Sequence, residues 1–181
     1  IGIIGTGMQA RLHLMYLKSV VACRQLWVWG RSETALEEFR QYAENEGFEV
    51  NTTLNAAELA RHCQLIITTT PSREPILQAV DIQPGTHITA VGADGVGKHE
   101  LSPELIAKAD KILLDSWAQC TEFGEISQAF QQGLLTAHTL TEIGSVLAQG
   151  ISFRENDQQI TLADLTGLGI QDVQIVKGIL A

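Results

Sequence analysis

Ile1-Gly2-Ile3-Ile4-Gly5-Thr6-Gly7-Met8-Gln9-Ala10 opens the 181-residue chain, and the reading of this stretch decides the fold. A short apolar run ends in Gly5-x-Gly7-x-x-Ala10, and Met8, Leu12, Met15 and Tyr16 then follow at helical spacing. A strand, a tight turn and a helix start in that order make a phosphate-binding βα unit. Gly5 permits the turn, Gly7 lets a pyrophosphate approach the backbone, and small Ala10 lets the helix pack on the strand. The first amides of that helix, around Met8 and Gln9, have no partner within it and can bind phosphate.

Working outward, strand-like and helical segments alternate. Leu26–Trp29 reads as a second strand, and Ser32 caps a helix that runs to about Glu46 and stops at Gly47. Phe48–Val50 predicts a short third strand, 55–60 a short helix, and Leu65–Thr70 a buried fourth strand ended by Pro71. Pro84-Gly85 turns into a fifth strand over Thr86–Val91, and Ser102-Pro103 starts a helix. A sixth strand over 111–115, polar helices over 122–132 and 141–147, a last strand over 159–165 and a helix from Leu168 to the end complete the pattern. Such alternation predicts one α/β domain over residues 1–181, a Rossmann-type doubly wound, mainly parallel sheet with helices on both faces.

Composition narrows the ligand. A formal net charge of -9 excludes a nucleic-acid surface, and no apolar run reaches the roughly 18 residues of a membrane span. Cys23, Cys63 and Cys120 lack paired spacing and read as free thiols of a reducing cytoplasm, and the five histidines show no metal-ligand spacing, so no metal is expected.

Ligands of doubly wound sheets lie at the carboxyl ends of the strands. After the second strand, Trp29-Gly30-Arg31-Ser32 has no carboxylate to read a ribose 2′-hydroxyl. Arg31, with the Ser32 hydroxyl beside it, is placed to fork onto a 2′-phosphate, which favours NADP(H) and leaves NAD(H) open. Thr70 offers a hydroxyl near the cofactor. In Val91-Gly92-Ala93-Asp94-Gly95-Val96-Gly97-Lys98, the small residues Gly92 and Ala93 admit a flat ring. Asp94 can exchange a proton with an amine, and Lys98 can meet a ribose or phosphate oxygen. The alternative reading is a glycine turn whose Asp caps a helix and whose Lys is solvated.

Gly5-Thr6-Gly7-Met8-Gln9-Ala10 with His13 resembles the ornithine cyclodeaminase and mu-crystallin family, as do Thr69-Thr70-Pro71-Ser72, the block from Pro84 to Leu101, and Gly124-Glu125-Ile126. So do Glu142-Ile143-Gly144 and the run from Thr161 to Asp172. The resemblance implies an amino-acid or imino-acid enzyme that passes a hydride between C4 of a nicotinamide and the substrate α-carbon. Asp94 then looks like the catalytic acid/base, which would require partial burial. Met8, Gln9, Thr70, Lys98 and Thr166 look like cofactor contacts, and Gly167 like a substrate-side contact. Substrates of the family are small amino acids or cyclic imines, as in ketimine reductases and amino-acid dehydrogenases.

Two departures shape the expectation. The chain opens inside its first strand, which predicts a piece of a longer polypeptide. The resemblance implies a preceding segment with a substrate-contacting lysine, a carboxylate-binding arginine and the homodimer interface, so the chain alone is expected to bind cofactor without turnover. Ornithine cyclodeaminase also has an aspartate where Gly30 stands. Gly30-Arg31 looks more like NADPH-using members, which favours a reductase or dehydrogenase over a redox-neutral cyclodeaminase with bound NAD. A cofactor-sensing or hormone-binding module without catalysis is the remaining alternative.

Overall fold

Eight strands, all parallel, lie side by side in the order β3-β2-β1-β4-β5-β8-β6-β7 in a computed structural model that describes residues 1–136 and 139–170. The strands are β1 (Gly2–Ile4), β2 (Gln25–Trp29), β3 (Glu49–Thr53), β4 (Leu65–Thr68), β5 (His87–Ala90), β6 (Lys111–Leu114), β7 (Leu140–Glu142) and β8 (Thr161–Asp164). Between them run α1 (Met8–Val20), α2 (Glu33–Asn45), α3 (Ala56–His62), α4 (Pro103–Lys108), α5 (Trp117–Glu122), α6 (Ile126–Gln131) and α7 (Ile143–Gln149).

The period-two alternation of a strand sends neighbouring side chains to opposite faces. Ile3 joins Leu14, Leu26, Val28, Leu36 and Phe39 in one buried cluster beneath α1 and α2. Ile4 faces the other way, into a larger cluster with Leu59, Ile66, Ile88, Leu105, Ile112 and Leu162. Each fully buried aliphatic of this kind contributes about 1.5–3 kcal/mol of transfer free energy. The sheet is therefore wound on both faces, as the sequence predicts. Its order reverses between β1 and β4, and the crevice at that switch point is where such sheets bind ligands.

Local boundaries differ from expectation where tertiary contacts take over the backbone. The fourth strand ends at Thr68 rather than Thr70, because the Thr70 amide leaves the ladder and donates to the Glu100 carboxylate at 2.7 Å. The third strand runs on to Thr53, paired along the whole of β2, while Phe48 precedes it as a core residue. A single helix over 122–132 does not form. The chain breaks at Phe123-Gly124-Glu125 into α5 and α6, and the Asp164 carboxylate accepts from the Ile126 amide at the break.

Residues 140–142 form β7 on β6 instead of beginning a helix. The strand over 161–164 inserts between β5 and β6, a placement no local pattern announces. Of the helix expected from Leu168 to the end, the part beyond residue 170 lies outside the described residues.

Candidate functional site

Each strand end presents a short turn to the same edge of the sheet. After β1, Gly5 adopts φ +116 and its amide donates to the Trp29 carbonyl at 2.9 Å, so the turn is locked to the neighbouring strand. A side chain at Gly5 would collide with Thr69, whereas one at Gly7 would meet nothing within 4 Å. The fold does not itself require a bare residue at Gly7, but a backbone-hugging ligand would. Ala10 is buried against the sheet, and Met8 and Gln9 are exposed at the start of α1, which carries no acidic residue in its first turn. That 13-residue helix start therefore suits an anion.

The second turn lies at the mouth of a cavity of about 550 Å³ whose walls include Trp29, Arg31, Asn55, Thr70, Pro71 and Ser72. The Trp29 indole donates to the Leu54 carbonyl at 3.0 Å, which fixes one wall. Ser32 caps α2, its hydroxyl oxygen accepting from the Ala35 amide at 3.4 Å. Arg31 is exposed and, among the described residues, its guanidinium makes no ion pair or hydrogen bond. A cation at a cavity mouth with its five donors uncommitted is the arrangement a phosphate needs. Glu33, two residues on from Arg31, instead lines a separate hollow with Leu36 and Thr52.

A second cavity, of about 360 Å³, gathers Gln9, Val91, Asp94, Thr166 and Gly167 from three strand ends, together with His13 and Leu165. Five residues singled out in the sequence thus share one wall. Gly92 and Ala93 are buried just behind it.

Asp94 departs from the burial expected of an acid/base. Its side chain is 58% exposed, and the Lys98 ammonium holds it at 2.6 Å. Lys98 is therefore committed to Asp94 here, four residues away, rather than standing free for a ribose or phosphate. Thr166 is also engaged: its amide and hydroxyl donate to the Asp115 carboxylate at 2.8 and 3.0 Å, and the Gly167 amide donates to it at 2.8 Å.

The sequence reading gave no role to the acids beneath these turns. Glu100, Glu125 and Asp164 are almost fully buried, at 0, 2 and 1% exposure. Burial pushes the Glu100 and Glu125 carboxyls up, Glu125 well above the usual range, and pushes Asp164 up to about 7. Burial likewise raises the Cys120 thiol, which abuts Asp115 and Asp164. One signal was available: Asp164 closes the buried strand Thr161-Leu162-Ala163-Asp164, where a carboxylate needs a specific partner. Among the described residues no group of His, Cys, Asp or Glu is arranged to hold a metal, and no helix is long and apolar enough to cross a membrane.

The sequence model of the ornithine cyclodeaminase/mu-crystallin family matches residues 1–180. An alanine dehydrogenase of Archaeoglobus fulgidus is 40% identical over 177 residues, 97% of this chain and 54% of the relative. Among solved structures, an archaeal alanine dehydrogenase dimer with bound NAD superposes with a TM-score of 0.90 at 40% identity, covering 97% of this chain and 54% of that one. A Δ1-pyrroline-2-carboxylate reductase of Thermococcus litoralis, in complex with NADH and L-proline, gives 0.90 at 28% identity, covering 97% and 55%. The chain spans about half the length of the curated relatives it matches.

Proposed function

We propose, from the premise that this chain belongs to the ornithine cyclodeaminase/mu-crystallin family, that it is the NADP(H)-binding half of an oxidoreductase acting on a small amino or imino acid. The observation that carries the reading is the pair of cavities along one sheet edge. One has Arg31 at its mouth, the other has Asp94 in its wall, and the β1 turn and Thr70 lie between strand ends that serve both. When bound, the cofactor supplies a hydride at C4 of its nicotinamide, exchanged with the substrate α-carbon.

The rest is work for this chain's residues. The helix start at Met8-Gln9-Ala10 and the bare Gly7 would hold the pyrophosphate, and Arg31 the 2′-phosphate. Gly92 and Ala93 leave the Asp94 cavity room for a flat ring. The Asp94 carboxylate takes a proton from, or returns it to, the substrate nitrogen. Lys98 keeps that carboxylate oriented. Its exposure would be closed off by substrate and by the other half of the protein, which would also carry the substrate-carboxylate contacts and a homodimer interface. The relatives named above are described with NAD and NADH. The NADP(H) preference rests on Arg31 and on the absence of an acid at Gly30. Three free thiols suit a cytoplasmic setting.

The test uses the complete protein. Titration with NADPH and NADH should show NADPH binding tighter, and equal affinities would remove the NADP(H) preference. Asp94→Asn should abolish turnover of cyclic imino acids while NADPH affinity stays within a few-fold. Retained turnover would overturn the role of Asp94.

A further inference from the structure

We infer that Glu100 is a positioning residue whose buried carboxylate is wedged between the Thr70 and Gly92 turns, the ends of β4 and β5, each of which lends a wall to one of the two cavities. The inference rests on the cofactor reading above.

The geometry is a ladder of three acids, each spent on backbone amides of the next segment. Asp164, at the end of β8, accepts from the Ile126 amide at 3.1 Å and so fixes the start of α6. Glu125, immediately before it, accepts from the Glu100 amide at 2.8 Å and the Leu101 amide at 3.0 Å. Glu100 in turn accepts from the Thr70 amide at 2.7 Å. The Thr68 hydroxyl and the Gly92 amide lie against the same carboxylate, although its second oxygen makes no full hydrogen bond. A side chain at Gly92 would run into both that oxygen and the Thr70 carbonyl. The fit of β4 end, Glu100 and β5 end therefore has no slack.

A ladder of this kind is costly unless it positions something. The three carboxyls are buried with no cation among their contacts in the described residues, and burial raises each of them. An apolar contact would join α6 to the sheet without that desolvation. What an apolar contact cannot do is hold the Thr70 amide at a fixed point while filling the space beside Gly92. Thr70 is on the wall of the Arg31 cavity, and Gly92 lies two residues before Asp94.

The test is a binding split on the complete protein. Two probes are used: NADPH, which on that reading spans both cavities, and 2′,5′-ADP, which carries only the adenosine with its 2′- and 5′-phosphates. In Glu100→Ala the bond to the Thr70 amide is lost, and NADPH affinity should fall about ten- to a hundredfold. Affinity for 2′,5′-ADP should fall no more than about threefold, because Arg31 and the α1 start are untouched and only the Thr70 wall of its cavity is released. The fluorescence of bound NADPH should shift toward that of free cofactor. Glu100→Gln keeps an acceptor for the Thr70 amide and should recover most of the NADPH affinity.

Equal losses for both probes would reduce Glu100 to a structural role and overturn the inference, as would an unchanged NADPH affinity or no recovery in Glu100→Gln. Should Glu100→Ala fail to fold, Glu100→Asp, which withdraws the oxygens by one methylene, carries the same expectation. If the unmodified protein prefers NADH, the probes become NADH and 5′-AMP with the same expected split. An unmodified protein that binds none of the four overturns the cofactor reading itself, a result separate from any Glu100 effect.

Discussion

The two halves of the site edge are built in opposite ways. On the β3-β2-β1 side the groups offered to a ligand are exposed and uncommitted: the amides at Met8 and Gln9, the open space above Gly7, and Arg31. On the β4-β5-β8 side the polar groups of the strand-end turns are mostly bonded to one another, although Thr68 Oγ1, Glu100 Oε2 and Asp164 Oδ1 are buried without a partner among the described residues. Thr70 donates to Glu100, Thr166 and Gly167 donate to Asp115, and Lys98 pairs with Asp94. On the reading proposed above, the first side would recognise a phosphate by supplying vacant donors. The second holds turns in place by internal bonds, so that one exposed carboxylate, Asp94, is presented at a defined position.

The largest expected effect strikes the second side. Gly92→Ala puts a methyl where the Glu100 carboxylate and the Thr70 carbonyl already stand. Overpacking of that order costs about 1–3 kcal/mol or more, and urea unfolding should register it together with loss of NADPH binding. An alanine variant with unchanged stability and affinity would break the contrast, because it would mean the second side is loose.

A smaller effect belongs to the first side. Arg31→Ala should leave the urea midpoint unchanged, since the guanidinium has no partner among the described residues. It should lower the preference for NADPH over NADH about ten- to a hundredfold, the worth of one charge-assisted contact. Isothermal titration with both cofactors reads this directly.

The smallest is a pH effect. The Asp164 carboxyl, raised by burial to about 7, holds its proton in the folded protein at pH values where the unfolded chain has released it. Folding then binds protons, so this group makes stability fall as pH rises from about 4 to about 7. Asp164→Asn keeps an acceptor for the Ile126 amide and removes the titration. Relative to the unmodified protein its Tm should rise by about 3–6 °C at pH 8, and the difference should shrink toward pH 5. A difference independent of pH would show that Asp164 does not titrate in this range.

How far each side could be read in the sequence follows from the same contrast. Gly5, Gly7, Ala10, Arg31 and Ser32 act through neighbours a few residues away, so a turn-and-helix pattern exposes them. Asp94 and Lys98 stand out in the sequence as an acid and a lysine four residues apart among glycines, but the sequence reads Lys98 as a cofactor contact, whereas the structure pairs it with Asp94. Glu100 acts on Thr70 across 30 residues, Glu125 on Glu100 across 25, and Asp164 on Ile126 across 38. In the sequence Glu100 is an acid like any other, Glu125 falls within a continuous polar helix, and only Asp164 is marked, by closing a buried strand.

Sequence alone determined the class of fold and the nature of the ligand edge. β-rich apolar runs alternating with helices bury their apolar faces in a parallel sheet covered by helices, and a glycine turn before a helix leaves amides without an intrahelical partner whatever surrounds it. Only the tertiary structure decided where β8 lies, why the helix over 122–132 breaks, and which carboxylates are buried. Those outcomes depend on amides and acids that meet across the sheet, and their energies are set by burial, a property that no stretch of sequence carries by itself. The opening glycine turn is thus readable at once, while the support beneath Asp94 is not.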